Sequence, residues 1–199
     1  MANWKELYEK FGEFPDEIPK KFMEQIEFMK INNLGTFFDL GCGTGRYSLL
    51  AASLGFDVIG GDYSNKAIEI CNEKIKLNSS ELKIKFQHVD MFDLKFKPNF
   101  FDNLIAIHSI QHANTKQVEE VFRSITRILK TKGLVFIVVP SLRNRDYSDK
   151  IKVDKYTYQP KTGLEKGVNH HYFDEKEIRI LLKEFEIINL EYYESSICG

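Results

Sequence analysis

Three carboxylates and a knot of glycines carry the clearest chemistry in this sequence. Asp39 stands beside Gly41, Cys42, Gly43, Thr44 and Gly45, while Asp62 and Asp90 each follow a later apolar run. Glycine lacks a Cβ, so its backbone reaches positive φ and lets a ligand come against the peptide itself. A carboxylate next to such a loop repels a pyrophosphate and suits a ligand bearing an ammonium or sulfonium group. Imidazoles form a second set: His108 and His112 after one apolar run, and His170 with His171 further on. With an ordinary pKa of about 6.5, a histidine held beside a nucleophile can take its proton near neutral pH.

Positioning these groups calls for alternating strands and helices. Thr36 to Leu40 is a short apolar run that stops at glycine, as a buried strand does. From Arg46 the pattern turns helical, with Tyr47, Leu50, Ala51 and Leu54 on one face and Gly55 as the stop. A second run, Asp57 to Gly61, ends in Asp62, which completes strand, glycine loop, helix, strand and acid, half of a nucleotide-binding α/β unit. A dinucleotide site needs G-x-G-x-x-G; here the third glycine, Gly45, comes one residue early and Arg46 fills its place. On spacing alone, an NAD site and a plain glycine-rich turn both stay open.

The D-x-G-x-G-x-G pattern from Asp39 to Gly45, with Asp62 closing the next strand, resembles motif I and the ribose acid of class I S-adenosylmethionine-dependent methyltransferases. The resemblance implies a Rossmann-like, doubly wound α/β fold, with a mostly parallel sheet of six or seven strands and helices on both faces. It implies S-adenosylmethionine as cofactor and S-adenosylhomocysteine as product. Gly41, Cys42, Gly43 and Gly45 would then meet the methionine end, with Asp39 complementing its ammonium. Asp62 would hold the ribose hydroxyls and Tyr63 the adenosine. Asp90, flanked by Met91 and Phe92, resembles the family acid that accepts from the adenine amino group. Phe101-Asp102 through Ile110 and His112 is similar to the family's F-D-x-x-x-x-x-x-x-L-x-H segment, so Ile107 and the histidines after it should face the methyl group. N-terminal aromatics close over the cofactor in this family, which nominates Trp4 and Tyr8. Where the family usually has leucine-lysine-proline-glycine-glycine, this chain has Leu129-Lys130-Thr131-Lys132-Gly133.

The rest of the chain reads as one domain over 1–199: a helical lid (1–33), a cofactor-binding core (34–140), a substrate flap (141–173), and a final helix and strand (174–199). Residues 115–132 form an amphipathic helix, and Phe185 to Tyr193 reads as a last strand. From Ser141 to Asn169 periodicity dissolves, and Leu142 to Lys166 holds seven Lys or Arg against four Asp or Glu. That excess fits a solvated surface loop or a flap for an anionic acceptor, the flap taking Arg143, Arg145 and His170 as substrate contacts. His112, His171 and His108 are the candidate bases. His170 and His171 point apart on an extended segment and no acid or cysteine cluster accompanies them, so no metal is expected.

Composition sets the outer bounds. A net charge of −1 across 199 residues gives no global field for nucleic acid; the basic loop alone favours an RNA-modifying enzyme, and a cofactor-binding protein without transferase activity is the other alternative. Cys42, Cys71 and Cys198 are odd in number and widely spaced, which suits a reducing cytoplasm. No apolar run approaches the roughly 20 residues of a membrane span, and Met1 leads into polar sequence rather than a signal peptide. The expected protein is therefore cytoplasmic, a monomer or homodimer, acting on a small molecule away from membranes.

Overall fold

The computed structural model describes residues 8–9, 18–77, 82–143 and 145–193. In chain order the elements are α1 (Lys20–Asn33), β1 (Thr36–Leu40), α2 (Arg46–Ser53), β2 (Asp57–Asp62), α3 (Asn65–Leu77), β3 (Ile84–His88), β4 (Phe101–Ile107), α4 (Thr115–Ile128), β5 (Leu129–Val138), β6 (Lys150–Lys152), β7 (Thr157–Pro160), β8 (His170–His171) and α5 (Glu175–Leu181). β1 to β5 form one parallel sheet in the order β3-β2-β1-β4-β5. The chain winds outward from β1 through β2 to β3, then returns to β1's other side for β4 and β5. The switch point lies between β1 and β4, where an open α/β sheet leaves its crevice.

Both faces are buried at the centre of this sheet, so β1 and β4 read as apolar runs rather than alternations. Phe37, Val58, Ile105 and Ile107 pack one face against Phe22, Ile26 and Met29 of α1 and Tyr47 and Ala51 of α2. Phe38, Leu40, Leu104 and Ala106 pack the other face against Val118, Val121, Phe122 and Ile125 of α4. Asn114 starts α4 with a reciprocal capping box: its side chain accepts from Gln117 N, and Gln117 Oε1 accepts from Asn114 N.

Three expectations need correction among the described residues. The main sheet has five strands, short of six or seven, because Phe185 to Tyr193 joins no ladder. That segment packs on α1 instead: Tyr193 meets the Phe22 ring at 5.6 Å, and Glu191 pairs with Lys21 at 2.6 Å. The helix expected to 132 stops at Ile128, since Leu129 is already extended and pairs with Phe101, with Lys132 turning through φ 66°. The Ser141–Asn169 segment is not without regular structure. β6, β7 and β8 make a small antiparallel sheet, with Tyr147, Tyr158 and Tyr172 clustered on it.

Asp154 fastens this small sheet to the main body. Its carboxylate accepts from Thr115 N (3.1 Å) and Oγ1 (2.8 Å) at the start of α4, and from Tyr156 N (3.0 Å) and Thr157 N (2.8 Å) in its own turn. Burial alone would raise this carboxyl, but the donors outweigh it and hold the pKa at about 2. The pKa is depressed in the fold, so the stabilisation is present above the ordinary value of 3.8 and is lost as pH falls through about 2. Asp154→Ala should cost about 1–3 kcal/mol in urea unfolding at pH 7. Amide exchange should quicken in β6 and β7 and stay slow in β1 and β4; equal exchange in variant and parent would show that the small sheet is held elsewhere.

Candidate active site

The glycine loop leaves the carboxyl end of β1 and is held in place by its neighbours' backbone and one acid. Gly41, Gly43 and Gly45 have φ of 77°, 55° and 86°, a left-handed run that a Cβ would strain. Gly41 N and Cys42 N both donate to Gly61 O, at 2.8 and 3.0 Å. Asp62, at the end of β2, accepts from Gly43 N through Oδ2 (2.9 Å) and from Ser64 N through Oδ1 (2.8 Å). Burial raises its pKa against the pull of those two amides. A Cβ on Gly43 would sit 2.9 Å from Tyr8 Oη, so Tyr8 lies over the loop. Burial and then the Asp62 charge push that phenol well above its ordinary pKa. Trp4 lies outside the described residues.

The side chains of the loop face inward. Cys42 is buried, and Cys71 Sγ donates to Gly43 O at 3.2 Å. Asp39 is buried beneath the loop with Ser48 Oγ donating to Oδ2 at 2.6 Å. Burial raises its pKa to about 7 despite that hydrogen bond. Next along the rim, Asp90 ends the β3 segment with Oδ1 accepting from Phe92 N at 2.9 Å, and Met91 and Phe92 are half-buried against the core. Tyr63 is exposed, its ring 5.3 Å from His88.

Across the switch point, Ile107 ends β4 buried and His108 turns through φ 54°. Ser109 Oγ donates to Leu40 O at 2.7 Å and so ties this segment to β1. Burial, then the guanidinium groups of Arg46 and Arg145, lower the His108 pKa. Burial, then the neighbouring His170, push His112 down to about 4, so both imidazoles are neutral at pH 7. His170 reaches His112 because His171 N donates to Gln111 O at 2.8 Å, which lays β8 along the residue before His112.

Residues 38–137 match the family described as methyltransferase domain, half of the sequence. The chain belongs to the methyltransferase-domain family. It is 35% identical over 109 residues to the Bacillus subtilis (strain 168) protein YqeM, covering 54% of this chain and 43% of that one. It is 28% identical over 132 residues to the ubiquinone biosynthesis O-methyltransferase of Pelagibacter ubique (strain HTCC1062), covering 66% and 52%. The chain thus spans about half the length of these relatives. The crystal structure of the PH0226 protein from Pyrococcus horikoshii OT3 matches it with a TM-score of 0.68 at 27% identity, over 91% of this chain and 89% of that one.

Not every nominated residue of this methyltransferase-domain chain reaches the crevice. His171 is fully buried, with Nδ1 3.2 Å from Thr157 Oγ1 and Nε2 3.1 Å from both Glu177 oxygens. It fastens the small sheet to α5 and has no path to a ligand. Arg143 stacks on the Tyr192 ring at 3.9 Å, whereas Arg145 donates through Nε to Ser141 O and carries its charge toward His108. Sequence reasoning missed Ser48, Ser109 and Glu165. Ser48 was legible in principle as the inward face of α2's first turn, but Glu165 sits in a loop whose partners come from distant elements.

Asp39 gives this site a measurable signature. In the fold it ionises at about 7, against 3.8 in an unperturbed chain, so its contribution to stability is full below 3.8 and is lost as pH rises through about 7. Stability should fall by on the order of 2–4 kcal/mol between pH 4 and pH 8 from this group. Asp39→Asn keeps an acceptor for Ser48 and should flatten that fall in urea midpoints; parallel curves for the two proteins would mean that Asp39 is charged throughout.

Proposed function

We propose that this chain transfers a methyl group from S-adenosylmethionine to a small-molecule acceptor, leaving S-adenosylhomocysteine. The observation that carries the reading is the clamp from Asp62 to Gly43 N, which fixes a left-handed glycine loop against an acid at the end of the adjacent strand. The residues present fit the group: a bare backbone for close approach, and the buried carboxylates of Asp39 and Asp62 beside it. The cofactor, when bound, supplies a methyl carbon already activated by the sulfonium. The chain then has to bind, orient and exclude water.

Asp39 beneath the loop complements the ammonium of the methionine end. Its ionisation near pH 7 makes binding of a cation favour release of its proton. Asp62 serves loop and ribose together, since a carboxylate has lone pairs for several donors. Asp90, Met91, Phe92 and Tyr63 frame the adenine along the same rim, and Tyr8 covers the loop. On the acceptor side, the small sheet walls the crevice next to His108, His112 and Arg145. The neutral imidazoles offer lone pairs there, and the Arg145 guanidinium suits a carboxylate or phosphate on the acceptor. A net charge of −1 and a relative named for ubiquinone biosynthesis support a small acceptor over nucleic acid.

Methyl-labelled cofactor incubated with a panel of small carboxylate- and phosphate-bearing acceptors should yield a labelled product. Asp62→Ala should weaken cofactor binding in calorimetry roughly ten- to a hundredfold, the scale of a charge-assisted hydrogen bond. Cofactor affinity unchanged by that substitution would place the adenosine elsewhere. No affinity for cofactor in the parent protein would end the reading altogether.

A further inference from the structure

His112, Glu165 and His170 form a cluster that the methyl-transfer reading does not use as a unit. One nitrogen of each imidazole and one oxygen of the carboxylate all lie within 4.8 Å of one another. His170 Nε2 is 3.3 Å from Glu165 Oε2, and the two imidazole rings stand edge to face with centroids 5.1 Å apart. We infer that His112, Glu165 and His170 bind a divalent first-row transition metal on the crevice wall.

Two imidazoles and one carboxylate are the donor set of three-ligand zinc sites and of the facial triads that hold iron(II), both of which leave positions open for a further ligand. At metal–ligand distances near 2.05 Å, tetrahedral donors stand roughly 3.3 Å apart, so the cluster closes on an ion through side-chain shifts of about an ångström. All three residues are partly buried, dry enough to strengthen coordination and open enough for an ion to enter. The ligands sit on firm supports. His112 follows the Ser109–Leu40 tie, and β8 is pinned by Gln111 O through His171 N. Glu165 lies in a tight turn closed by Val168 N to Glu165 O at 2.9 Å. His170 is backed by the Tyr172 ring, stacked at 6.5 Å. The adjacent histidines do point apart, as an extended pair must, but His170 finds its partners across the fold rather than in sequence.

Placing this ion on the acceptor side, where it would take an oxygen or nitrogen of the acceptor as its further ligand, rests on the proposed function. The binding test does not. Chelator-stripped, cofactor-free protein titrated with Zn²⁺ in calorimetry should take up one equivalent. Glu165→Gln, which keeps the shape of the turn, and His170→Ala should each weaken uptake at least tenfold with unchanged circular dichroism. Co²⁺ should give visible bands of nitrogen and oxygen ligation without a thiolate charge-transfer band. No uptake by the parent protein, equal uptake by Glu165→Gln and His170→Ala, or a thiolate band pointing to Cys42 and Cys71, would each overturn the site. Labelled-methyl transfer is read separately, so loss of the metal site and loss of the proposed activity are distinguishable.

Discussion

Asp62 holds together three pieces of chain, two through its carboxylate and one through its backbone carbonyl. It takes one amide from the glycine loop after β1 and another from the start of α3, while its own backbone carbonyl accepts from Val89 N at 2.9 Å, beyond β3. Left-handed backbone costs nothing in steric terms at glycine, but glycine also brings the largest conformational entropy to be lost. A loop of three such residues needs an external constraint to stay in one shape, and the Asp62 acceptors supply it. The same burial that makes those hydrogen bonds strong raises the energy of the charge, which is why the pKa rises despite two donors. A cation or hydroxyl arriving at this carboxylate relieves a cost the fold already carries.

The two ends of the parallel sheet are built from different chemistry. At the amino ends of β1 and β4, Asp102 accepts from Thr36 N (2.9 Å), Thr36 Oγ1 (2.8 Å) and Lys130 Nζ (2.8 Å), and buried Asn103 donates to Asn33 O at 2.6 Å. Burial would raise the Asp102 carboxyl, but Lys130 and the Thr36 donors outweigh it and hold its pKa below the ordinary value, so this end keeps a paired carboxylate. At the carboxyl ends, Asp39, Asp62, His108 and His112 sit in shifted ionisation states around the switch point. Groups held away from their ordinary pKa are poised to change state on meeting a ligand. Strand order decides which end is which, because only at the carboxyl ends do the connections from β1 and β4 depart in opposite directions.

How much was legible in the sequence follows from how local each signal is. The glycine loop, the strands of the parallel sheet and the stripe of α4 were readable, since each rests on neighbours within a few residues: Phe37 and Phe38 on opposite faces, or Val118, Val121, Phe122 and Ile125 on one. The small sheet was not. β6, β7 and β8 have three, four and two residues, too short for an alternation to show, and they are held from outside the segment by Thr115, which donates to Asp154, and by the Gln111 carbonyl. Phe185 to Tyr193 has a strand's composition, but Phe22 and Lys21 of α1 offered its aromatic and acidic residues better partners than a sheet edge. The family's motif logic located the rim; only tertiary contacts decided which rim residues face the crevice.

His170 and His171 show why adjacency misleads. On a strand, neighbouring side chains leave opposite faces, so one backbone hydrogen bond from His171 to Gln111 assigns the pair opposite roles. His171 turns into the packing between β7 and α5 and is spent there on Thr157 and Glu177. His170 turns outward to Glu165 and His112. A slip of one residue in β8 would exchange them, burying the crevice histidine and exposing the structural one. The Thr157 and Glu177 contacts to His171 thereby set the register on which the chemistry of the opposite face depends.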